Sequence, residues 1–376
     1  MTLITYLNRV HFADGVLEEA LRSEIERNRH HRPLIIAECG DLSGNLADRL
    51  FASFPIRTST ETFADVPSLP TEAAALQIAR TYRETGRDHL VAFGSNRAID
   101  LAKVARIAIA YDEPLAALSS AEGGTQRIGN GLPDLFAVPG ISGFASSVSD
   151  YARVKVSGAH QVLMSSRHLI PTVTICDPTL TLSSTVAASA SAASGAVSRG
   201  IDSFLSRGYN PPADGLALDG LSRTVRFLRR AMEDDELEAR REMMAGSLNS
   251  ALSLQKGVCV VHAITNALAS VSRVQIDPSA AGRLLMPGLL RFYGDRIDQK
   301  SEALRNVFNL RDDVDLADGI AGFLADLPLP NRLADMGLDG EDIDAAASIA
   351  ARDRAIGRSP RAIGMADIRS IIEAAH

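Results

Sequence analysis

Three stretches of the chain set small, hydroxyl-bearing and charged residues where they could do chemistry. The first is Phe93-Gly94-Ser95-Asn96-Arg97, which follows the apolar residues 89–93 and leads into Ala98-Ile99-Asp100-Leu101-Ala102-Lys103. A small-residue turn that delivers a helix N-terminus offers unpaired backbone N–H groups and the positive end of a helix dipole, a setting that holds pyrophosphate. Gly94, Ser95, Asn96 and Asp100 are therefore candidate cofactor contacts, with a plain tight turn as the competing reading. The second stretch, residues 138–148, has no regular periodicity, and its Gly140, Ser142 and Ser146 allow backbone and hydroxyl groups to approach a ligand closely. The third, residues 174–181, is an apolar strand stopped by Asp177-Pro178, with Leu180 just beyond as a further candidate cofactor contact. Farther on, His262 follows the apolar residues 258–261 and Asn266 stands one turn later on the same helix face. A lone histidine there reads either as a satisfied core residue or as a proton carrier.

These residues need elements to position them. Residues 34–37 read as a buried strand, 42–54 as a helix, 72–85 as a second helix and 89–93 as the next strand. Such alternation implies a parallel sheet with helices on its faces. Near Ser183 the pattern changes to long Ala- and Leu-rich segments of helical period, broken at residues 208–212, at Asp277-Pro278, at 327–330 and at Ser359-Pro360. The reading is an α/β domain over residues 1–182 and an all-helical domain over 183–376. The Ala-rich residues 187–196 suit a helix packed tightly against a sheet or ligand rather than a linker.

Composition bounds the function. At 376 residues, two domains are expected, and 46% hydrophobic with 23% charged residues is the balance of a folded globular protein. A net charge of -7 opposes attraction to phosphate backbones, and Arg223, Arg226, Arg229 and Arg230 recur at helical spacing as a solvated face, so no nucleic-acid partner is expected. Residues 1–9 lack a basic stretch followed by an apolar one, and no run approaches the roughly 18 apolar residues of a membrane span. A cytoplasmic location is expected. Cys39, Cys176 and Cys259 follow no metal-binding spacing and are expected to be buried thiols.

Taken in order, the turn with Ile99-Asp100-Leu101-Ala102-Lys103, Pro139 with its small residues, Asp177-Pro178-Thr179-Leu180-Thr181, the Ala-rich helix, Tyr209-Asn210-Pro211 and Val261-His262-Ala263 form a series. Leu329-Pro330, Met336-Gly337, Asp342-Ile343 and Ser359-Pro360-Arg361 close it. The series resembles the iron-containing alcohol dehydrogenases, a superfamily that includes maleylacetate reductases, over nearly the whole chain. The resemblance implies a Rossmann-like amino-terminal domain, an all-helical catalytic domain, a cofactor and substrate cleft between them, and NAD or NADP with a divalent iron or zinc. It also implies a homodimer, for which residues 3–7 offer an edge strand.

Carried over by residue, the family's GGGS turn falls on Gly94, Ser95, Asn96 and Arg97, keeping one glycine. Its PTTAGTGSE loop falls on Pro139 to Ser147, keeping Pro139, Gly143 and Ser146 and replacing the acid with Ser147. The lysine that often follows becomes Gln161. Glu38 lies where relatives often place an acid or hydroxyl near the adenosine ribose; an acid there accepts from the 2'-OH and repels a 2'-phosphate, favouring NAD over NADP. A surface loop acid is the other reading.

The resemblance also implies four metal ligands. An Asp and a His four residues apart fall on Gly195 and Arg199, the third ligand on His262, and the fourth near Pro278. One ligand in four cannot hold an ion, so no metal is expected; a shifted alignment brings in Asp202 or Asp277 without restoring the set. Arg199 puts a fixed positive charge where the cation would be, and with His262 and Asn266 it is a candidate for polarising a carbonyl or alkoxide oxygen. Tyr151, Tyr209 and Asp202 are further candidate proton carriers.

Three functions follow. The first is a metal-independent, NAD(P)-dependent oxidoreductase that interconverts an alcohol and a carbonyl. An arginine also suits a substrate carboxylate, so a β-hydroxy acid, small or peptide-borne, whose keto acid loses carbon dioxide is a candidate. The second is a metal-dependent alcohol dehydrogenase with shifted ligands. The third is an inactive relative that serves as a binding subunit.

Overall fold

A computed structural model describes residues 9–156, 161–233, 236–257, 260–274 and 276–376. Cys259 and the edge strand expected at residues 3–7 lie outside the described residues. The chain divides into two compact units, Thr5–Ser183 and Ser184–His376. No helix among the described residues is long and apolar enough to cross a membrane.

The first unit is built on strands β1 (Arg9–Phe12), β2 (Pro33–Ile36), β3 (Glu61–Phe63), β4 (His89–Gly94) and β5 (Asp134–Pro139), a hairpin of β6 (Tyr151–Lys155) with β7 (Gln161–Ser165), and β8 (Val173–Cys176). Six of them form one sheet in the order β1-β8-β5-β4-β2-β3, every pairing parallel. Both faces are covered, which is why β2 and β4 read as unbroken apolar runs. Leu34, Ile36, Leu90 and Ala92 point to one core, shared with the helix Asn96–Ala110, while Ile35, Val91 and Phe93 point to the other, shared with the helix Leu17–Asn28. From β2 the chain runs to β3 on one side and then returns to β4 on the other. That reversal opens a crevice at the carboxyl ends of β2 and β4, the usual ligand position in open α/β sheets.

Several local features depart from the sequence reading. Residues 42–54 split into a 3-10 turn, Cys39–Leu42, and a helix, Gly44–Ala52. The helix after the Gly94 turn begins at Asn96 because Ser95 Oγ accepts from Ala98 N at 3.4 Å and caps it there. Residues 144–148, read as loop, form a short helix. Cys176 is buried as expected, but Cys39 is exposed, since it lies past the end of β2 where the sheet no longer covers it.

At the amino ends of the strands the His30 and His89 rings stack at 4.4 Å and 12°. His89 Nδ1 lies 2.6 Å from Asp88 Oδ1, and His30 Nε2 lies 3.0 Å from Asp134 Oδ2. Burial holds the His89 imidazole below its ordinary value, and the Asp88 carboxylate only partly offsets this. The native state therefore resists a proton that the unfolded chain takes up near pH 6.5, so stability falls as pH drops through that value. We expect His89→Gln to flatten this slope, measured by denaturant unfolding at pH 5.5 and 7.5. An equal loss in both proteins would rule out His89 as the titrating group.

The second unit is helical among its described residues. The Ala-rich stretch forms the helix Val186–Leu205, which packs on the helices Pro211–Glu233, Leu237–Ser253 and Pro278–Tyr293. Within the unit its close neighbours are helices. Small residues set the spacing. A Cβ on Gly220 would stand 2.8 Å from the Gly246 carbonyl oxygen and 2.8 Å from Ser250 N, and one on Gly200 would stand 2.8 Å from Leu221 Cγ. The arginine-rich face of Pro211–Glu233 carries ion pairs to acids, with Arg223 bonded to Asp219 and Glu242 and Arg230 to Glu236 and Glu238.

Candidate functional site

The carboxyl ends of β2, β4 and β5 surround a hollow of about 250 Å³ lined by Glu38, Asp41, Gly94, Arg97, Gly140 and Ser142, among others. The turn is shaped by close backbone approach. Gly94 has φ +94°, a Cβ on it would collide with the Asp41 carboxylate, and its carbonyl oxygen accepts from Gly140 N at 2.8 Å. Ser95 Oγ donates to Glu38, and Arg97 Nη2 donates to the other Glu38 oxygen at 2.5 Å. Burial and the neighbouring Glu38 carboxylate push the Asp41 carboxyl up to about 6, against the pull of Arg97. Near neutral pH the hollow holds two acids and one arginine, a balance that disfavours an added 2'-phosphate. Asp41 and Arg97 join the candidate residues only in the folded structure. Asp41 carries no motif, and only the turn of residues 39–42 folds it back onto Gly94.

The structure brings Glu38, Gly94, Ser95, Gly140 and Ser142 together at this hollow. Asn96 and Ser146 lie one step behind it, where Asn96 Oδ1 accepts from Ser146 N at 3.0 Å and ties the turn to the short helix. Asp100 faces Lys103 Nζ at 3.6 Å. Lys103 is fully buried and donates to the Ser149 carbonyl at 2.9 Å, to Ser149 Oγ at 2.8 Å and to the Tyr151 carbonyl at 3.1 Å, so this pair anchors the hairpin. Two candidates stand apart. Gln161 is paired with Lys155 in the hairpin, and neither it nor Leu180 lines the hollow. Leu180 is 4% exposed in the core with Leu17, Phe54 and Phe93, because the turn after β8 directs it inward.

A substitution follows from this geometry. Gly94 cannot be replaced without strain, whereas Ser142 is exposed on the rim. Ser142→Asp adds an anion beside the expected pyrophosphate position and is expected to weaken NAD binding at least about tenfold, the ~1.4 kcal/mol of one added unfavourable charge contact, with an unchanged melting temperature. Calorimetry showing unchanged affinity would move the phosphates away from this rim.

In the helical unit the residues at the expected ligand positions form a different cluster. Ser279 Oγ lies 2.5 Å and Arg199 Nη1 2.7 Å from where a Cβ on Gly195 would stand, so the space of a side chain at 195 is taken by the hydroxyl and the half-buried guanidinium. The two alternative acids have other partners. Asp202 is 4% exposed and accepts from Val261 N at 3.3 Å at the start of the helix carrying His262. Asp277 caps the helix Pro278–Tyr293 by accepting from Ser279 N at 2.9 Å and also accepts from Ser191 Oγ. His262 and Asn266 are half-buried on Val260–Val271, and Asn266 Nδ2 is a buried donor with no hydrogen-bond partner among the described residues. Tyr209 is 78% exposed, which leaves it poorly held for proton transfer. Tyr151 opens the hairpin strand β6.

Among the described residues, one group of His, Asp, Glu or Cys side chains lies close enough to share an ion: His30, Asp88 and His89 at the amino ends of the strands. Their two imidazoles are stacked nearly parallel, so a single ion cannot lie in both ring planes.

Comparison with known proteins fits this architecture. The model for iron-containing alcohol dehydrogenase matches residues 8–178, and that for the Fe-containing alcohol dehydrogenase family, C-terminal, matches 190–376. The chain is 33% identical over 381 residues to 4-hydroxybutyrate dehydrogenase of Cupriavidus necator, covering 99% of each. It is 26% identical to long-chain-alcohol dehydrogenase 1 of Geobacillus thermodenitrificans, covering 97% of this chain and 94% of the relative. Its fold is shared with 1,3-propanediol oxidoreductase, at TM-score 0.90, 20% identity and full coverage of both chains. Maleylacetate reductase from Agrobacterium tumefaciens is also similar, at TM-score 0.79 and 21% identity over 100% of this chain and 98% of that one. With family models matching both units and a relative aligned end to end, the chain belongs to the iron-containing alcohol dehydrogenase family, a family of NAD(P)-dependent oxidoreductases, and is an alcohol dehydrogenase by class.

Proposed function

We propose that this dehydrogenase interconverts a hydroxy acid and its oxo acid with NAD, and that an arginine does the work given to a metal ion in its relatives. The observation that carries the reading is the guanidinium of Arg199 beside Gly195, where an ion and its carboxylate ligand would otherwise sit. The donor set does not fit a divalent cation, because Gly195 and Pro278 offer no ligand side chain, Asp202 and Asp277 serve helix starts, and a guanidinium repels a second positive charge at short range. The 33% identical relative named 4-hydroxybutyrate dehydrogenase makes a hydroxy acid the first substrate class to test.

The hollow fits the cofactor: backbone N–H groups at the start of Asn96–Ala110 would receive the pyrophosphate, and Glu38 would accept from the adenosine ribose. NAD, when bound, supplies a hydride acceptor. Oxidation removes a hydride from the carbinol carbon and a proton from its oxygen. Arg199 stabilises the negative charge that develops on that oxygen, His262 takes the proton, and Asn266 holds the oxygen or a substrate carboxylate with its unpartnered amide. Reduction runs the same steps in reverse. A β-hydroxy acid would give a β-keto acid, which loses carbon dioxide.

Activity on a panel of β- and γ-hydroxy acids and unsubstituted alcohols tests the substrate class; a preference for the uncharged alcohols would overturn it. Metal analysis tests the mechanism. Purified protein is expected to carry well under one equivalent of iron or zinc and to keep its turnover in chelator. Stoichiometric metal whose removal abolishes activity would instead support shifted ligands, and full folding with no activity on any panel member would support a binding subunit.

A further inference from the structure

A second hollow, of about 240 Å³, lies at the opposite end of the sheet strands from the cofactor position. It is lined by Arg106, Asn130, Asp134, Arg167, His168 and Thr172, among others. Asp134 opens β5 and Thr172 immediately precedes β8, so the hollow belongs to the amino ends of these strands.

Arg106 is the anchor. The side chain is 4% exposed, its Nε donates to the Pro133 carbonyl at 2.6 Å, and its Nη1 donates to the Leu169 and Ile170 carbonyls at 3.3 and 3.5 Å. These bonds hold the guanidinium rigidly and leave Nη2 without a partner among the described residues. Arg106 lines the hollow, so an acceptor placed there would meet a charged donor already held in position. Asp134 acts on Arg106 through its charge without a direct hydrogen bond, its oxygens lying 3.0 Å from His30 Nε2 and accepting from Thr172 Oγ1 at 2.8 Å. Across the hollow, exposed Arg167 brings a second fixed positive charge, with its Nε 3.3 Å from His168 Nε2. Asn130 adds an amide on the same wall. The lining thus offers two arginines and an imidazole against one satisfied carboxylate.

We infer that this hollow is a binding site for a small oxyanion of phosphate type, separate from the cofactor site. A buried, pre-held guanidinium facing an exposed one suits a tetrahedral anion with several acceptor oxygens. The ligand could be free inorganic phosphate or the phosphate group of a small ester. Burial and the neighbouring Arg167 and Arg106 charges hold His168 below its ordinary value, and a bound anion would favour its protonation.

The test titrates the intact protein, saturated with NAD so that the cofactor hollow is blocked, with inorganic phosphate and with glycerol 3-phosphate at low ionic strength. One saturable site is expected, with tighter binding of inorganic phosphate or of the ester naming the source. Arg167→Glu reverses the rim charge on an exposed residue and should weaken binding at least tenfold while the protein stays folded. Asn130→Asp is a second, milder variant that should weaken it several-fold. Ser142→Asp, which alters the cofactor hollow, should leave it unchanged. No saturable binding of either probe, or equal binding by Arg167→Glu and the parent protein, would overturn the site.

Discussion

Arg199→Ala is expected to fold, to bind NAD as the parent protein does, and to lose roughly 100- to 1000-fold in turnover, about 3 to 4 kcal/mol, the usual cost of removing one preorganised charge at a developing oxyanion. Beside Gly195 the guanidinium stands with the Ser279 hydroxyl, which cannot supply a positive charge. Arg199→Lys should recover part of the loss, because an ammonium restores the charge but not the planar fork. His262→Ala should lose a comparable amount, and the double variant should be little worse than the poorer single one if both act on the same oxygen. Steady-state kinetics on the best hydroxy acid provides the measurement. Near-normal turnover in Arg199→Ala would reduce this arginine to an ion pair worth at most about 1 kcal/mol and remove the proposed mechanism's main residue.

The second large effect concerns stability. Lys103 has no exposed surface, faces Asp100 at 3.6 Å and serves three oxygens of residues 149 and 151. Lys103→Met keeps the length but removes the larger of the two positive charges acting on buried Asp100, the other being Arg153, and leaves those oxygens without their donor, an expected loss of about 3 to 5 kcal/mol. Pairing it with Asp100→Asn should restore part of that. Burial lowers the Lys103 amine to about 8 from an ordinary 10.5, more than Asp100 raises it. Between those values the unfolded chain keeps a proton that the native state releases, so the parent protein gains stability as pH rises through this window and the gap to Lys103→Met widens. Denaturant midpoints of both proteins at pH 7.5 and 9.5 measure it. A loss below 1 kcal/mol would mean that water reaches this pair.

The fold class was legible in the chain because both of its periods are local. Residues 34–37 and 89–93 are apolar without a break since both faces of the sheet are covered, and after Ser183 apolar residues recur at helical spacing. The Gly94 turn was legible too, because Ser95 caps its helix through residues three apart in sequence. The resemblance puts Gly195 and Arg199 at two expected ligand positions from order alone. What they do in space could not be read that way. Sequence spacing says nothing of Ser279, 84 positions away, closing on Gly195, nor of Asp202 being used up at the start of the helix that carries His262. Asp41 turned back onto Gly94, Leu180 directed into the core and Cys39 left at the surface depend on how the chain leaves the end of a strand, where no periodic pattern constrains it. The Lys103 anchor and the Arg106 hollow likewise needed the tertiary structure. Their partners come from segments 27 to 64 residues away, and only folding decides whether a buried charge meets a carbonyl, a carboxylate or an open cavity.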